Sequence, residues 1–215
     1  MIQGWRWIAL DAYRYCLDTK ADQKAFEKWF MNLSWDEYKK HIQIPALNAL
    51  KSAVCCCIPS ASEFYYDPQQ GPMIKLAHEG LLPFDYLSDG FRNMVGMVSD
   101  IIHRASKLNP HFGNDVASRI TGVVLIDEID LHLHPKWQRR VIEDISRIFP
   151  NLQFIMTTHS PFIIQSLKPG QLIDLEQPVA TRVPPHTLDA FPAPQNAFSE
   201  RSIEDITEDI LDKDK

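Results

Sequence analysis

The sequence predicts an α/β fold, a parallel sheet with flanking helices that follows an N-terminal helical subdomain. Three observations carry this. An apolar run at 122–126 ends in two adjacent carboxylates, Asp127 and Glu128. An amphipathic segment follows, with Trp137, Val141, Ile145, Ile148 and Phe149 at three- to four-residue steps. A second apolar run at 153–157 then closes on T-T-H-S-P. Strand, crossover helix and strand of this length form a right-handed unit with parallel strands.

Upstream, residues 5–17 and 22–30 are rich in Ala, Leu, Lys, Glu and aromatics without internal Pro or Gly, and predict a helical hairpin. Ser34, with Glu37 three residues on, is a capping-box pattern that starts a third helix at Trp35. Pro45 is expected to break or kink it. From Ala53 the pattern changes to short apolar runs, A-V-C-C-C-I, E-F-Y-Y and P-M-I-K-L, separated by Pro, Ser, Asp and Gly. These read as strands of a meander, with 81–86 as a short connection.

Next comes L-S-D-G-F-R at 87–92, opening a helix whose apolar face is Phe91, Met94, Val95, Val98, Ile101, Ile102 and Ala105. Ser88 and Gly90 at its start leave backbone N–H groups free at the positive end of the helix dipole, a ready anion site. The alternative is that Ser88 or Asp89 simply caps the helix. Residues 109–119 read as a polar loop, with Gly113 and Asn114 as turn residues. Pro135 suits the first position of the crossover helix.

After the second strand, 171–175 is expected to add another, and five prolines in 178–194 predict an extended linker. A short acidic helix at 202–211 places Ile203, Ile206, Ile210 and Leu211 on one side. The expected organisation is therefore a helical segment at 1–52, an α/β region at 53–176, and a Pro-rich linker with a short acidic helix at 177–215.

The totals narrow the function classes. At 215 residues and 45% hydrophobic content the chain can build a packed core. No apolar run approaches the roughly 20 residues of a membrane span, and the first residues lack a secretory pattern, so a cytoplasmic protein is expected. A net charge of −6 gives no global reason to expect nucleic acid, although Lys136, Arg139 and Arg140 form a local basic patch. Cys55, Cys56 and Cys57 are consecutive, which fits neither a disulfide framework nor a spaced zinc site, and they are expected in a buried strand.

Two carboxylates at the end of a core strand are costly unless a metal or charged ligand meets them. A strand-end aspartate suits magnesium, which takes oxygen ligands and keeps several waters. Asp127 would serve the ion, Glu128 an attacking water, and His159, one strand over, a terminal phosphate. The competing explanation of an isolated Asp-Glu pair is a turn or a cap.

The motifs together resemble those of ABC-type ATPases. V-V-L-I-D-E resembles a Walker B strand, L-S-D-G-F-R the signature motif, and T-T-H-S-P the switch-histidine loop. More narrowly, D-E-I-D-L-H-L-H-P-K-W-Q is similar to the AAA-labelled, RecF-like and SMC-like ATPases of bacterial DNA repair and antiphage defence. The resemblance covers roughly 53–175. It implies part of a P-loop NTPase sheet, with Asp127 associated with magnesium, Glu128 polarising the attacking water and His159 contacting the terminal phosphate of ATP. Ser88, Asp89 and Gly90 correspond to signature residues, which in the family meet the nucleotide of the opposite protomer, and Arg92 to a recurrent signature arginine. It further implies a homodimer or head-to-tail pairing of heads, and a partner such as a nuclease or, less directly, nucleic acid. Residues 131–134 fall at the dimer-contacting D-loop. On a strand, His132 and His134 would instead share a face and suggest a metal-dependent hydrolase.

The departure from the family is the absence of G-x-x-x-x-G-K-[ST], the loop whose N–H groups cradle phosphates. A truncated reading frame, a split protein and a remnant kept for protein contacts each account for it, and intact Asp127, Glu128 and His159 favour the first. The same absence motivates a non-catalytic interaction module as the alternative function. An unpaired sheet edge is expected where further strands belong.

Overall fold

Nothing from residue 23 to residue 40 stops a helix, because the stretch holds neither Pro nor Gly, and α1 (Gln23–Lys40) runs through it unbroken. The capping box expected to start a new helix at Trp35 therefore lies inside α1. Ser34 Oγ is buried with no hydrogen-bond partner among the described residues, so it caps nothing. The computed structural model describes residues 23–58, 60–168, 170–173, 175 and 202–207. The expected helix at 5–17, the proline-rich stretch at 178–194 and the end of the acidic helix lie outside them.

The chain divides into two units, Met1–Val124 with Asp144–Phe154, and Leu125–Glu143 with Ile155–Lys215. In the first, Pro45 does not kink a helix but begins one: α2 (Pro45–Cys57) has Pro at its first turn, where the missing N–H costs nothing. This corrects the strand expected from Ala53. Leu47, Leu50, Val54 and Cys57 recur at three- and four-residue steps and are all buried, so the helical period entering from Pro45 overrides the strand preference of V-C-C-C-I. Cys57 is buried, Cys55 half-buried and Cys56 exposed, as successive residues around a helix must be. Lys51 Nζ meets Glu37 Oε2 at 2.8 Å, tying α2 to α1.

Two of the three expected meander strands form, and a third follows at 80–83 in place of the one expected from Ala53. β1 (Ala61–Asp67), β2 (Gly71–Leu76) and β3 (Gly80–Pro83) pair antiparallel in that order, so residues 81–83 belong to a strand rather than a connection. Asp67 Oδ1 accepts from Gln69 N and Gln70 N at the first turn, and Gly71 supplies the positive φ of 79° that closes it. The buried ring of Phe30 in α1 stacks on Phe64 in β1, with centroids 5.0 Å apart.

α3 (Asp89–Leu108) buries Met94, Val95, Val98, Ile101, Ile102 and Ala105, the face its spacing predicts, while Phe91 is only half-buried. Residues 110–119, expected as loop, form a 3-10 turn kinked at Gly113 and the short α4 (Val116–Arg119).

β4 (Gly122–Ile126) and β5 (Leu152–Met156) pair as a two-stranded sheet. Thr157 N donates to Ile126 O at 3.0 Å and Ile129 N donates to Thr157 O at 3.1 Å. The two strands therefore end side by side, which makes them parallel, as predicted. Their crossover is two helices rather than one: α5 (Pro135–Gln138) and α6 (Val141–Ile148), interrupted at Arg139 and Arg140. In the second unit Ile129, Leu133, Val141, Ile163, Ile164 and Ile206 are buried, and α7 (Pro161–Ser166) packs on α8 (Ile203–Ile206). Residues 171–173 are not a strand.

Candidate functional site

Parallel strands gather the residues that follow their carboxyl ends, which is where open α/β sheets bind ligands. Asp127 and Glu128 follow β4; Thr157, Thr158 and His159 follow β5. All five belong to the second unit. Three of them, Asp127, Glu128 and His159, are exposed residues that the sequence singles out.

Thr157 joins the two strand ends. Its hydroxyl donates to Asp127 Oδ1 and accepts from Glu128 N at 2.9 Å. With its own N–H and C=O bonded to Ile126 and Ile129, every polar group of Thr157 engages residues 126–129. One Asp127 oxygen is thereby oriented, and Glu128 is held at a φ of 50°, left-handed backbone that a non-glycine residue adopts only at a cost.

A second set of bonds ties the following turns. Asp130 Oδ1 accepts from the Thr158 hydroxyl and from His159 N, the latter at 3.3 Å. The Thr158 hydroxyl accepts in turn from Ser160 N at 3.0 Å. Gln138 Nε2 donates to Leu133 O at 2.9 Å and Asp130 O at 3.3 Å, while its Oε1 accepts from Ser160 Oγ at 2.7 Å. Ser160, almost fully buried, also caps α7 through Ile163 N.

Residues 129–132 form a turn, with His132 at a φ of 62°, rather than a strand that would align two imidazoles. His134 caps α5, its Nδ1 accepting from Lys136 N at 3.2 Å. Among the described residues no three His, Cys, Asp or Glu side chains converge to cage a metal.

In the first unit, Ser88 occupies the N-cap position of α3 but its side chain makes no capping hydrogen bond. The capping explanation for Ser88 therefore fails on geometry. Gly90 is buried in the first turn. Arg92 folds back along its own segment, pairing with Asp89 and donating from Nη1 to Asp85 O at 3.5 Å.

Thr157, Asp130 and Gln138 were not anticipated from the sequence. Thr157 is the first Thr of T-T-H-S-P, and Asp130 and Gln138 sit inside D-E-I-D-L-H-L-H-P-K-W-Q, so the residues were in view while their bonds were not.

Residues 21–165 match the family model described as "AAA domain, putative AbiEii toxin, Type IV TA system". The "Retron Vc95 probable ATPase" of Vibrio cholerae serotype O1 biovar El Tor is 45% identical over 86 residues, 40% of this chain and 16% of that protein. The "Septu protein PtuA" of Bacillus thuringiensis is 35% identical over 143 residues, 63% of this chain and 34% of its own. The chain thus spans a minor part of the relatives it matches. An SMC head domain from Thermotoga maritima aligns with a TM-score of 0.42 and 15% identity, over 62% of this chain and 44% of that one.

Proposed function

Since the chain belongs to the AAA-domain family whose model matches residues 21–165, we propose that it carries the hydrolytic half of an ATP site. The observation that carries this reading is the Thr157 junction, which brings Asp127 and Glu128 to the end of one strand and His159 to the end of its parallel neighbour.

The donor set fits magnesium. Asp127 is an exposed carboxylate with one oxygen fixed by Thr157, and magnesium is commonly held by one or two carboxylates together with substrate phosphates and waters rather than by an all-protein cage. Magnesium bound there supplies charge neutralisation at the phosphates. Asp127 is the residue that would hold that ion. Glu128, turned by its left-handed backbone, orients and polarises the attacking water. His159 donates a hydrogen bond to the terminal phosphate. Ser88, Asp89 and Gly90 at the start of α3, together with Arg92, meet the nucleotide of an opposing head.

The missing G-x-x-x-x-G-K-[ST] function is then supplied from outside these 215 residues, and two heads pair to complete each site. Similarity to a protein named as a retron probable ATPase and to a Septu protein supports a place in defence systems of that kind. The motif resemblance extends the proposal to a nuclease partner, with nucleic acid reached through it.

The test combines the chain with a phosphate-loop half of the same family and measures ATP turnover. Glu128→Gln should abolish hydrolysis while nucleotide stays bound. Unchanged turnover in that variant rejects the assignment.

A second reading, a non-catalytic interaction module, is favoured by one observation: the apolar side chains Val123, Leu125 and Ile155 stand 59%, 69% and 54% exposed on β4 and β5. Calorimetry with ATP and magnesium on the chain alone separates the two. Micromolar binding contradicts the module.

A further inference from the structure

Asp130 and Gln138 lie in the motif around Asp127 and Glu128, yet neither has a role in the reading above. We infer that they are positioning residues that hold His159 against the turn following Glu128, so that the two ends of the site keep one geometry. The inference rests on the ATP-site reading for its functional consequence, but its structural content stands on the hydrogen bonds alone.

Those bonds surround His159. Its own N–H reaches Asp130 Oδ1, the preceding Thr158 hydroxyl donates to the same oxygen, and the following Ser160 N–H reaches back to that hydroxyl. Asp130 therefore anchors three consecutive residues, two directly and one through Thr158. Gln138 closes the other side. Its amide nitrogen bonds the carbonyls of Asp130 and Leu133, and its amide oxygen takes the Ser160 hydroxyl. A carboxylate acceptor shared by an N–H and an O–H gives charge-assisted bonds, about twice as strong as neutral ones. Ser160 then starts α7, so the loop bearing His159 is pinned between a helix and the β4 turn.

A loop held this way restricts where the imidazole can go without touching substrate itself. Misplacing a catalytic group by about 1 Å can cost roughly a hundredfold in rate. Loss of the clamp should therefore lower kcat and leave KM for ATP nearly unchanged.

The first measurement uses the chain as it is and needs no ATPase activity: residue-resolved amide hydrogen exchange. Asp130→Ala should speed exchange at His159 and Ser160 by about tenfold, with amides in α3 unaffected. Asp130→Asn, which keeps an acceptor oxygen, should restore most of the protection. Thr158→Val, informative even if Asp130→Ala fails to fold, should expose Ser160 N and leave His159 N protected. Unchanged exchange at both amides in Asp130→Ala, or at Ser160 in Thr158→Val, overturns the inference.

The second measurement is turnover of the chain combined with a phosphate-loop half of the same family, with Glu128→Gln alongside. If Glu128→Gln is inactive and Asp130→Ala loses about tenfold or more in kcat at constant KM, with recovery in Asp130→Asn, the positioning role holds. If Glu128→Gln is inactive and Asp130→Ala keeps full kcat, the positioning role is wrong while the ATP-site reading survives. If Glu128→Gln turns over normally, the ATP-site reading fails, and the exchange result alone decides the clamp.

Discussion

The hydroxyl of Thr157 donates to the carboxylate of Asp127 and accepts from the backbone N–H of Glu128 at 2.9 Å, so one side chain fixes both carboxylate-bearing residues. A hydroxyl can do this because it is donor and acceptor at once. Valine has nearly the same shape and neither capacity. Thr157→Val should cost about 1 kcal/mol of stability, the net worth of a partly solvated hydrogen-bond pair. Thr157→Ser should stay within about 0.5 kcal/mol of the parent. Urea denaturation of the three proteins checks the order.

Glu128 sits at a φ of 50°, a backbone region that disfavours a residue with a Cβ by roughly 1–2 kcal/mol. A site tuned for chemistry would keep such a residue despite the strain. Glu128→Gly should raise the urea midpoint, by about 0.5–1 kcal/mol in stability, whereas Glu128→Ala should not. A glycine variant no more stable than the alanine variant would show that the left-handed backbone carries no penalty here.

The sequence shows what is periodic or terminal and hides what is not. The buried face of α3 could be read from spacing because six apolar residues recur every three to four positions. The ends of β4 and β5 could be read because apolar runs stop abruptly at polar residues. α2 is hidden because V-C-C-C-I looks like a strand when taken alone, while its helical phase is set by Leu47 and Leu50 upstream. The Asp130 clamp left no signal, since its bonds join residues 28 and 29 positions apart through single side chains. Such pairings follow from strand order, not from local pattern.

Burial pushes the Cys57 thiol up to about 12 from an ordinary 9.0, with Cys55, Asp144 and Cys56 adding to the same direction. A thiol whose folded pKa lies above its unfolded one favours the folded state while it stays protonated. That contribution is complete below about pH 9 and is lost as pH rises from 9 toward 12. The urea midpoint should therefore fall between about pH 8 and pH 10.5, and Cys57→Ala should flatten the slope. The exposed Cys56 should react with thiol reagents well before Cys57. Equal slopes in the two proteins would remove Cys57 as their cause.

Strands buried on both faces read as continuous apolar runs, and β4 reads that way: Val124 and Ile126 are half-buried on one face while Val123 and Leu125 are largely exposed on the other. Ile155 of β5 is also more than half exposed. Neither strand has a further neighbour among the described residues, so bare apolar side chains and unpaired backbone groups occur on the same two-stranded sheet. Such a surface promotes self-association when nothing covers it. The isolated chain should bind a hydrophobic dye and sediment as concentration-dependent oligomers. Leu125→Ser with Ile155→Thr should shift it toward monomer, with a stability change within about 0.5 kcal/mol per site because little burial is lost. If the double variant associates as strongly as the parent, some other surface drives the association.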